Sequence, residues 1–88
     1  LGRNVKVDNL VHIAHGVKVG QNSVIIANAM IAGSVEIGKN AWVSPSASVL
    51  NHKKVGNSVL IGLGAVVLKD IDKGDVIVGN PGKSIRKS

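Results

Sequence analysis

Apolar residues recur every six positions along the chain. Written in sixes from Leu1, the chain reads LGRNVK, VDNLVH, IAHGVK and so on, and the first position is Leu, Ile or Val in all twelve units as far as Asp72. The fifth position is Val, Ala, Ser or Ile in eleven of the twelve units, Lys53 being the exception. A period of six matches neither a helix nor a simple two-sided strand, so it predicts a short strand followed by a corner.

Three such units close a triangular coil of 18 residues, and successive coils stack about 4.8 Å apart. The twelve units therefore predict an all-β fold, a parallel β-helix of about four coils in which each coil touches only its neighbours. Inward-facing columns then form at intervals of 18 residues, as in Val7, Ile25, Val43 and Ile61. The second position is Gly in five units, as expected for a bend, at Gly2, Gly20, Gly38, Gly56 and Gly62.

The period ends after Asp72, which divides the chain into a β-helix over residues 1–72 and a cap over residues 73–88. The cap sequence predicts a turn at 73–75, a short strand at 76–78, a second turn at 79–82 and a basic end. A cap of this kind covers the last coil, whose open edge would otherwise pair with another chain. Because Leu1 is already in the full pattern, we interpret the chain as a fragment or a mature product.

The composition narrows the function. Val and Ile make up 24 of the 88 residues, Trp42 is the one aromatic residue, and Thr and Cys are absent. Strand-forming aliphatic residues without aromatic bulk predict a narrow, uniform core. The absence of Thr argues against an ice-binding array, and the lack of aromatic platforms argues against nucleic-acid binding. A net charge of +6 favours an anionic partner. No apolar stretch approaches the length of a membrane span, and the absence of Cys fits a cytoplasmic location.

Two histidines in the segment NLVHIAHG are the first candidates for chemistry. His12 and His15 both fall outside the core, around one corner of the triangle. The residue one coil above His15 is Gly33, so a backbone N–H without a side chain is expected about 5 Å from the His15 backbone. Acyl transfer from a thioester needs a general base and a fixed N–H donor for the developing oxyanion. An imidazole suits the first role because it exchanges protons near neutral pH.

The hexad form resembles the hexapeptide-repeat family, whose β-helices are left-handed, and that handedness is taken from the resemblance. The segment HIAHGVKVGQNSVIIANAMIAGS resembles the active-site segment of the lipid A acyltransferases, above all the UDP-3-O-acylglucosamine N-acyltransferases. The resemblance covers about residues 4 to 60. It implies that His15 is the catalytic base, that Gly33 supplies the oxyanion N–H, and that His12 helps to hold the acceptor. We expect Asn9 to hold the acceptor as well.

His52 has a counterpart in the N-acyltransferase branch, where a His at this hexad position lies near the sugar nucleotide. It usually follows a Gly there, whereas here it follows Asn51. Asn51 is expected one coil above Gly33, in the passage for the pantetheine arm. The eighteen-residue register also places Asp70 one coil above His52, where its carboxylate could orient the imidazole.

The C-terminal segment IGLGAVVLKDIDKGDVIVGNPGKSIRK resembles the end of amino-sugar and serine-type acetyltransferases, which use acetyl-CoA. The resemblance implies that Lys69, Lys83 and Arg86 approach the phosphates of CoA. We expect Gly33 and Asn51 to contact the acyl donor as well. No long C-terminal helix for docking an acyl-carrier protein follows.

Together these features predict an acyltransferase. It would move an acyl group from acyl-CoA or acyl-carrier protein to an amine or hydroxyl of a nucleotide-linked sugar, with no permanently bound cofactor and no metal. The family resemblance implies a homotrimer with its active sites between subunits. Two alternatives remain. One is a zinc enzyme of the hexapeptide-repeat carbonic anhydrase type. In that family a single ligand His precedes a close pair of His, whereas in this chain the pair comes before the single His. The other is a non-catalytic β-helix scaffold.

Overall fold

The strands of the computed structural model are short and evenly spaced. The structure describes residues 1–85, and no helix occurs among them. The strands are β1 Lys6–Val7, β2 His12–Ile13, β3 Lys18–Val19, β4 Val24–Ile25, β5 Met30–Ile31, β6 Glu36–Ile37, β7 Trp42–Val43, β8 Ser48–Val49, β9 Lys54–Val55, β10 Leu60–Ile61, β11 Val66–Val67, β12 Val76–Val78 and β13 Lys83–Ser84. Residues 1–85 therefore contain no helix that could cross a membrane.

The strands pair in parallel at the predicted interval. Val7 pairs with Ile25 and Ile25 with Val43, each eighteen residues further along, and the same interval joins Ile13 to Ile31 and Val19 to Ile37. Every third strand joins the same sheet, so three sheets form the three faces of a prism. This parallel β-solenoid of about four turns confirms the predicted fold class and is consistent with left-handed winding.

The three faces differ in their outward side chains, and we name them accordingly. The tryptophan face (β1, β4, β7, β10, β12) presents Lys6, Val24, Trp42, Leu60 and Val76. The histidine face (β2, β5, β8, β11) presents His12, Met30, Ser48 and Val66. The charged face (β3, β6, β9) presents Lys18, Glu36 and Lys54. The inward residues Val, Ile and Ala form one continuous buried core.

Each corner consists of two residues, and the second of them has a left-handed backbone. Nine such residues are not glycine: Asn4, Leu10, Asn22, Asn28, Ser34, Asn40, Ser46, His52 and Ser58, with φ between 57° and 63°. Asn and Ser dominate the set because short polar side chains tolerate this conformation best. The second corner residue donates its N–H to the first corner residue of the coil below, as from Ser34 N to His15 O at 3.1 Å. These bonds fix the vertical stacking of the corners.

The glycine corner, between the charged face and the tryptophan face, explains why Gly recurs in the repeat. A Cβ on Gly20 would lie 2.6 Å from the backbone carbon of Gly38, and one on Gly38 would lie 2.7 Å from the amide nitrogen of Asn57. A Cβ on Gly56 would likewise collide with the backbone of Lys73. The neighbouring coil passes so closely here that only glycine fits.

The eighteen-residue register ends after Val67. Ile71 pairs with Val55 and Ile77 with Ile61, each across sixteen residues, so the last corner is two residues shorter than the others. The position expected for Asp70, one coil above His52, is therefore wrong. The shortened turn removes the backbone carbonyl that would accept the N–H of Lys54, and the Asp70 carboxylate accepts it instead at 2.9 Å.

The C-terminal segment continues the stacking and then folds back. β12 pairs in parallel with β10, and β13 returns antiparallel along β12. Asp75 is buried beneath this hairpin and accepts hydrogen bonds from the Val76 N–H at 2.8 Å and the Ser84 hydroxyl at 2.5 Å. The boundary between coils and cap at residue 72 stays a prediction, since parallel pairing extends into β12. Arg86 lies outside the described residues.

Candidate active site

His15, Gly33 and Asn51 stack on one another at the corner between the histidine face and the charged face, which we call the histidine corner. The Ser34 N–H donates to the carbonyl of His15 at 3.1 Å, and the His52 N–H donates to the carbonyl of Gly33 at 3.0 Å. These two bonds hold three successive corners in line. The structure thus brings His15 and Gly33 onto adjacent coils at the same corner, as the register of the sequence predicted.

Gly33 differs from the equivalent residue at every other regular corner. The first corner residues are Arg3, Asn9, His15, Gln21, Ala27, Gly33, Lys39, Pro45, Asn51, Asn57 and Leu63, so Gly33 alone in this set lacks a side chain. Within residues 1–85 its N–H donates to no protein acceptor. The amide is therefore available to an incoming oxygen and is not covered by its own side chain.

The fold does not require glycine at position 33. A Cβ placed there would meet one atom, the carbonyl oxygen of His15, at 3.6 Å, which is an ordinary van der Waals contact. Its φ is not among the left-handed values. Glycine carries an entropic cost on folding, so its presence at a position with room for a side chain favours a role in binding or chemistry.

The imidazole of His15 is exposed one coil below Gly33 and makes no hydrogen bond or ion pair with any other residue in the range 1–85. It is free to meet a substrate. An exposed imidazole beside an uncovered amide provides a proton acceptor and a hydrogen-bond donor on one edge of the prism.

The residues expected to hold the acceptor spread across the histidine face. Asn9 lies at the far corner of this face and His12 on its outward surface, both exposed, with His15 at the near corner. The three residues therefore line one stretch of the first coil. His52 is the second residue of the histidine corner one coil above Ser34, and its side chain is exposed.

The residues expected near the donor lie further up the prism. Asn51 is exposed directly above Gly33. Lys69 and Lys83 lie apart in sequence but both border a cavity of about 310 Å³ between the shortened corner and β13. Asp70 and the buried Asp75 border the same cavity, so its rim carries both signs of charge. The structure therefore places Gly33 and Asn51 at the histidine corner, and Lys69 and Lys83 at the cavity beside the shortened corner.

The sequence reasoning missed two features. One is the shortened last corner, for which the repeat gave no signal, because Ile71 is apolar and fits the six-residue pattern in either register. The other is the exposed apolar surface of Trp42, Met30 and Leu50, which reading the chain in steps of eighteen would have revealed. No group of three His, Asp or Glu side chains with metal-binding geometry occurs within residues 1–85.

Comparison with protein families supports the expected resemblance. Residues 1–33 match the family described as bacterial transferase hexapeptide (six repeats). A UDP-3-O-acylglucosamine N-acyltransferase from Caulobacter vibrioides (strain NA1000 / CB15N) is 56% identical over 27 residues, which are 31% of this chain and 8% of that protein. The resemblance to the hexapeptide-repeat acyltransferases is thereby confirmed.

Solved structures with the same fold include serine acetyltransferases. The serine acetyltransferase of Neisseria gonorrhoeae superposes with a TM-score of 0.91 at 22% identity, over 99% of this chain and 38% of that one. LpxA from Acinetobacter baumannii gives 0.91 at 27% identity, over 93% and 32%. Serine acetyltransferase in complex with coenzyme A from Brucella abortus strain S19 gives 0.85 at 22%, over 97% and 38%. The chain thus spans well under half the length of these proteins.

Proposed function

We propose that the histidine corner catalyses acyl transfer from a thioester to an amine or hydroxyl group. One observation carries the proposal: Gly33, the sole first corner residue without a side chain in the regular coils, presents an unpaired amide one coil above the exposed imidazole of His15. The hexapeptide-repeat transferases that the chain resembles perform chemistry of this class.

In the proposed reaction His15 removes a proton from the acceptor amine or hydroxyl as it attacks the thioester carbonyl. The Gly33 N–H donates to the oxygen that becomes negative in the tetrahedral intermediate. When the carbon–sulfur bond breaks, the imidazolium returns the proton to the leaving thiolate. General base catalysis contributes about 10²–10⁴-fold and one oxyanion donor about 10²–10³-fold to such reactions.

The proposed acceptor is a nucleotide-linked amino sugar. The similarity of a 27-residue stretch of this chain to a UDP-3-O-acylglucosamine N-acyltransferase supports this choice. Asn9 and His12 on the histidine face and His52 above the corner offer amide and imidazole groups to a polar acceptor. The surface they occupy is continuous with His15.

The proposed donor is acyl-CoA, with acyl-carrier protein as the alternative source of the same thioester. A structural relative was solved in complex with coenzyme A. In this chain Asn51 stands beside the passage above Gly33, and Lys69 and Lys83 border the cavity at the next level, where their ammonium groups suit the phosphates of CoA. Arg86 belongs to the same proposed set. We further propose a cytoplasmic homotrimer, in keeping with the family resemblance.

The test is His15→Ala, assayed with acetyl-CoA and a longer acyl-CoA as donors and a UDP-linked amino sugar as acceptor. We expect turnover to fall by about 10²–10⁴-fold. The thermal unfolding midpoint should stay the same, because the exposed imidazole contributes no packing. Lys39→Ala, an exposed change at the glycine corner, serves as the matched control and should leave both quantities unaltered. Full turnover in His15→Ala would refute the proposal.

A further inference from the structure

The last coil of the β-helix ends in an apolar layer that no further coil covers within residues 1–85. The inward residues of this layer are Val67, Ile71 and Ile77. β13 extends the sheet of the tryptophan face beyond β12, so it covers the layer on one side. The rest is the cavity of about 310 Å³ described above, which we call the end cavity; it is bordered by residues 67–71, Asp75, Ile77 and residues 82–84. Small-molecule pockets have volumes of about 300–1,000 Å³.

Asp75 places a carboxylate at an inward position of the core. The strand register assigns it to the inward column of Ser23, Ala41 and Val59. Asp75 is only 6% exposed. Burial of a carboxylate is unfavourable unless hydrogen bonds replace the lost water. One oxygen, Oδ1, accepts the Val76 N–H at 2.8 Å and the Ser84 hydroxyl at 2.5 Å, and these two bonds hold the hairpin of β12 and β13.

The second oxygen of Asp75, Oδ2, has no hydrogen-bond partner within residues 1–85. It is not sealed inside the protein, because no fully enclosed side-chain oxygen in this range lacks a partner. Since Asp75 borders the end cavity, we place Oδ2 at the wall of that cavity. An amide oxygen could accept both bonds of Oδ1, so the hairpin does not require a carboxylate. The free oxygen favours a ligand that carries a donor group.

The rim of the end cavity carries charges of both signs. Lys69 and Lys83 border it, and neither ammonium group forms an ion pair within residues 1–85. Asp70 adds a second carboxylate, one oxygen of which accepts the Lys54 N–H at 2.9 Å. Charge-assisted hydrogen bonds are the strongest that such side chains form. A small ligand with one ammonium and one carboxylate group matches both sets of charges.

We propose that the end cavity binds a free α-amino acid with an apolar side chain. The ammonium group of the ligand donates to Oδ2 of Asp75, and its carboxylate accepts from Lys69 and Lys83. The side chain of the ligand packs on the aliphatic layer at the end of the core, where burial of apolar surface favours branched side chains over small ones. The site lies two coils beyond Gly33, so it is separate from the histidine corner.

Occupation of the end cavity also regulates the acyl donor, and this part of the inference rests on the proposed function. Lys69 and Lys83 are the groups proposed to meet the phosphates of CoA. The carboxylate of the amino acid engages the same two ammonium groups, so the two ligands compete. The amino acid therefore raises the acetyl-CoA concentration needed for half-maximal turnover and leaves the maximal rate unchanged.

Equilibrium dialysis of the whole chain against radiolabelled L-leucine tests the site directly. We expect leucine to bind and to be displaced by L-valine and L-isoleucine. Two analogues serve as controls: 4-methylpentanoate lacks the ammonium group and 3-methylbutylamine lacks the carboxylate. Each should bind about 10-fold more weakly or worse, because each loses a charge-assisted hydrogen bond. No binding of any of the three amino acids, or equal binding of leucine and both analogues, would overturn the proposal.

Asp75→Asn separates the ligand contact from the hairpin. The amide oxygen keeps both bonds of Oδ1, whereas the amide nitrogen puts a donor in place of the free acceptor. We expect the affinity for leucine to fall by about 10-fold or more with the thermal unfolding midpoint near that of wild type. Glu36→Gln, which removes a carboxylate from the charged face outside the end cavity, should bind leucine as wild type does. Wild-type affinity in a folded Asp75→Asn variant would contradict the site.

Lys83→Gln provides a second variant that does not depend on the hairpin bonds, because the Lys83 side chain is exposed. It should weaken leucine and acetyl-CoA together, whereas Asp75→Asn should weaken leucine alone. Unchanged leucine affinity in Lys83→Gln would overturn the proposal even where Asp75→Asn fails to fold.

Turnover at low acetyl-CoA tests the regulation. Leucine should slow the wild-type chain and have no effect on Asp75→Asn, whose turnover without leucine should equal that of wild type. Turnover that leucine leaves unchanged in wild type would refute the competition. A failed acyl-transfer assay with leucine binding intact refutes the proposed function and leaves the site standing, whereas full turnover without leucine binding refutes the site alone.

Discussion

Gly38 and Gly33 lie five residues apart in the same coil, yet their surroundings are opposite. A Cβ on Gly38 would lie 2.7 Å from the Asn57 amide nitrogen and 2.8 Å from the Gly56 carbonyl carbon. A Cβ on Gly33 would make a single ordinary contact, 3.6 Å from the carbonyl oxygen of His15. The first glycine is required by the approach of two coils. The second is not required by packing at all.

The comparison separates a residue of the fold from a residue of the site. In the sequence both glycines look alike, because the repeat supplies a steric reason for glycine near any corner. In the structure that reason applies to the glycine corner and is absent at the histidine corner. What remains at Gly33 is the exposed N–H, and this is why we assign it to chemistry.

The largest change in stability should come from Gly38→Ala. The added methyl group collides with backbone atoms of the next coil, which cannot move away without breaking the stacking hydrogen bonds. Overpacking of this kind costs about 3 kcal/mol, and we expect a loss of that size in the free energy of unfolding. Chemical denaturation monitored by the Trp42 emission measures it. Wild-type stability in this variant would show that the glycine corner is less tightly packed than the contact distances require.

A smaller loss is expected for Ser23→Ala, which leaves the glycines in place. The buried Ser23 hydroxyl donates to the carbonyl of Gly38 at 2.7 Å and accepts the N–H of Ala41 at 3.0 Å. Its removal leaves the buried N–H of Ala41 and the partly buried carbonyl of Gly38 without this partner, at a cost of about 2 kcal/mol. The same denaturation experiment checks the value, with Ser48→Ala, at a half-exposed outward position of β8, as control. Equal stability of the two variants would contradict the structural role of Ser23.

The smallest change in stability should come from Gly33→Ala. The methyl group fits, and loss of glycine restricts the unfolded chain, so the free energy of unfolding should stay within about 1 kcal/mol of wild type, on the stabilising side. Turnover should fall by up to about 10²-fold, because the methyl group restricts access to the N–H. Gln21→Ala, at the equivalent position of another corner, should alter neither quantity. Full turnover in Gly33→Ala would remove the argument that sets Gly33 apart.

Much of this architecture could be predicted from the sequence, because the six-residue period alone identifies the inward-facing column from Val7 to Ile61. The position of His15 below Gly33 follows from the same register and required no contacts to be known. The period could not show that Gly33 has room for a side chain, since that depends on how closely two coils approach. Nor could it show the shortened corner at Lys69 and Asp70, because the apolar residue Ile71 fits the six-residue pattern in either register.

Because every regular coil has eighteen residues, the length of the β-helix can change by one whole coil at a time. The distance between the His15 imidazole and the Gly33 amide depends on two adjacent coils. The distance from these two groups to the hairpin of β12 and β13 depends on the number of coils between them. Duplicating one coil above Gly33 would move Lys83 about 4.8 Å further from Gly33 and leave the spacing of His15 and Gly33 unchanged. Duplication of one coil therefore lengthens the distance between the lysines and the catalytic pair, which suits a longer donor, and it leaves the catalytic groups unchanged.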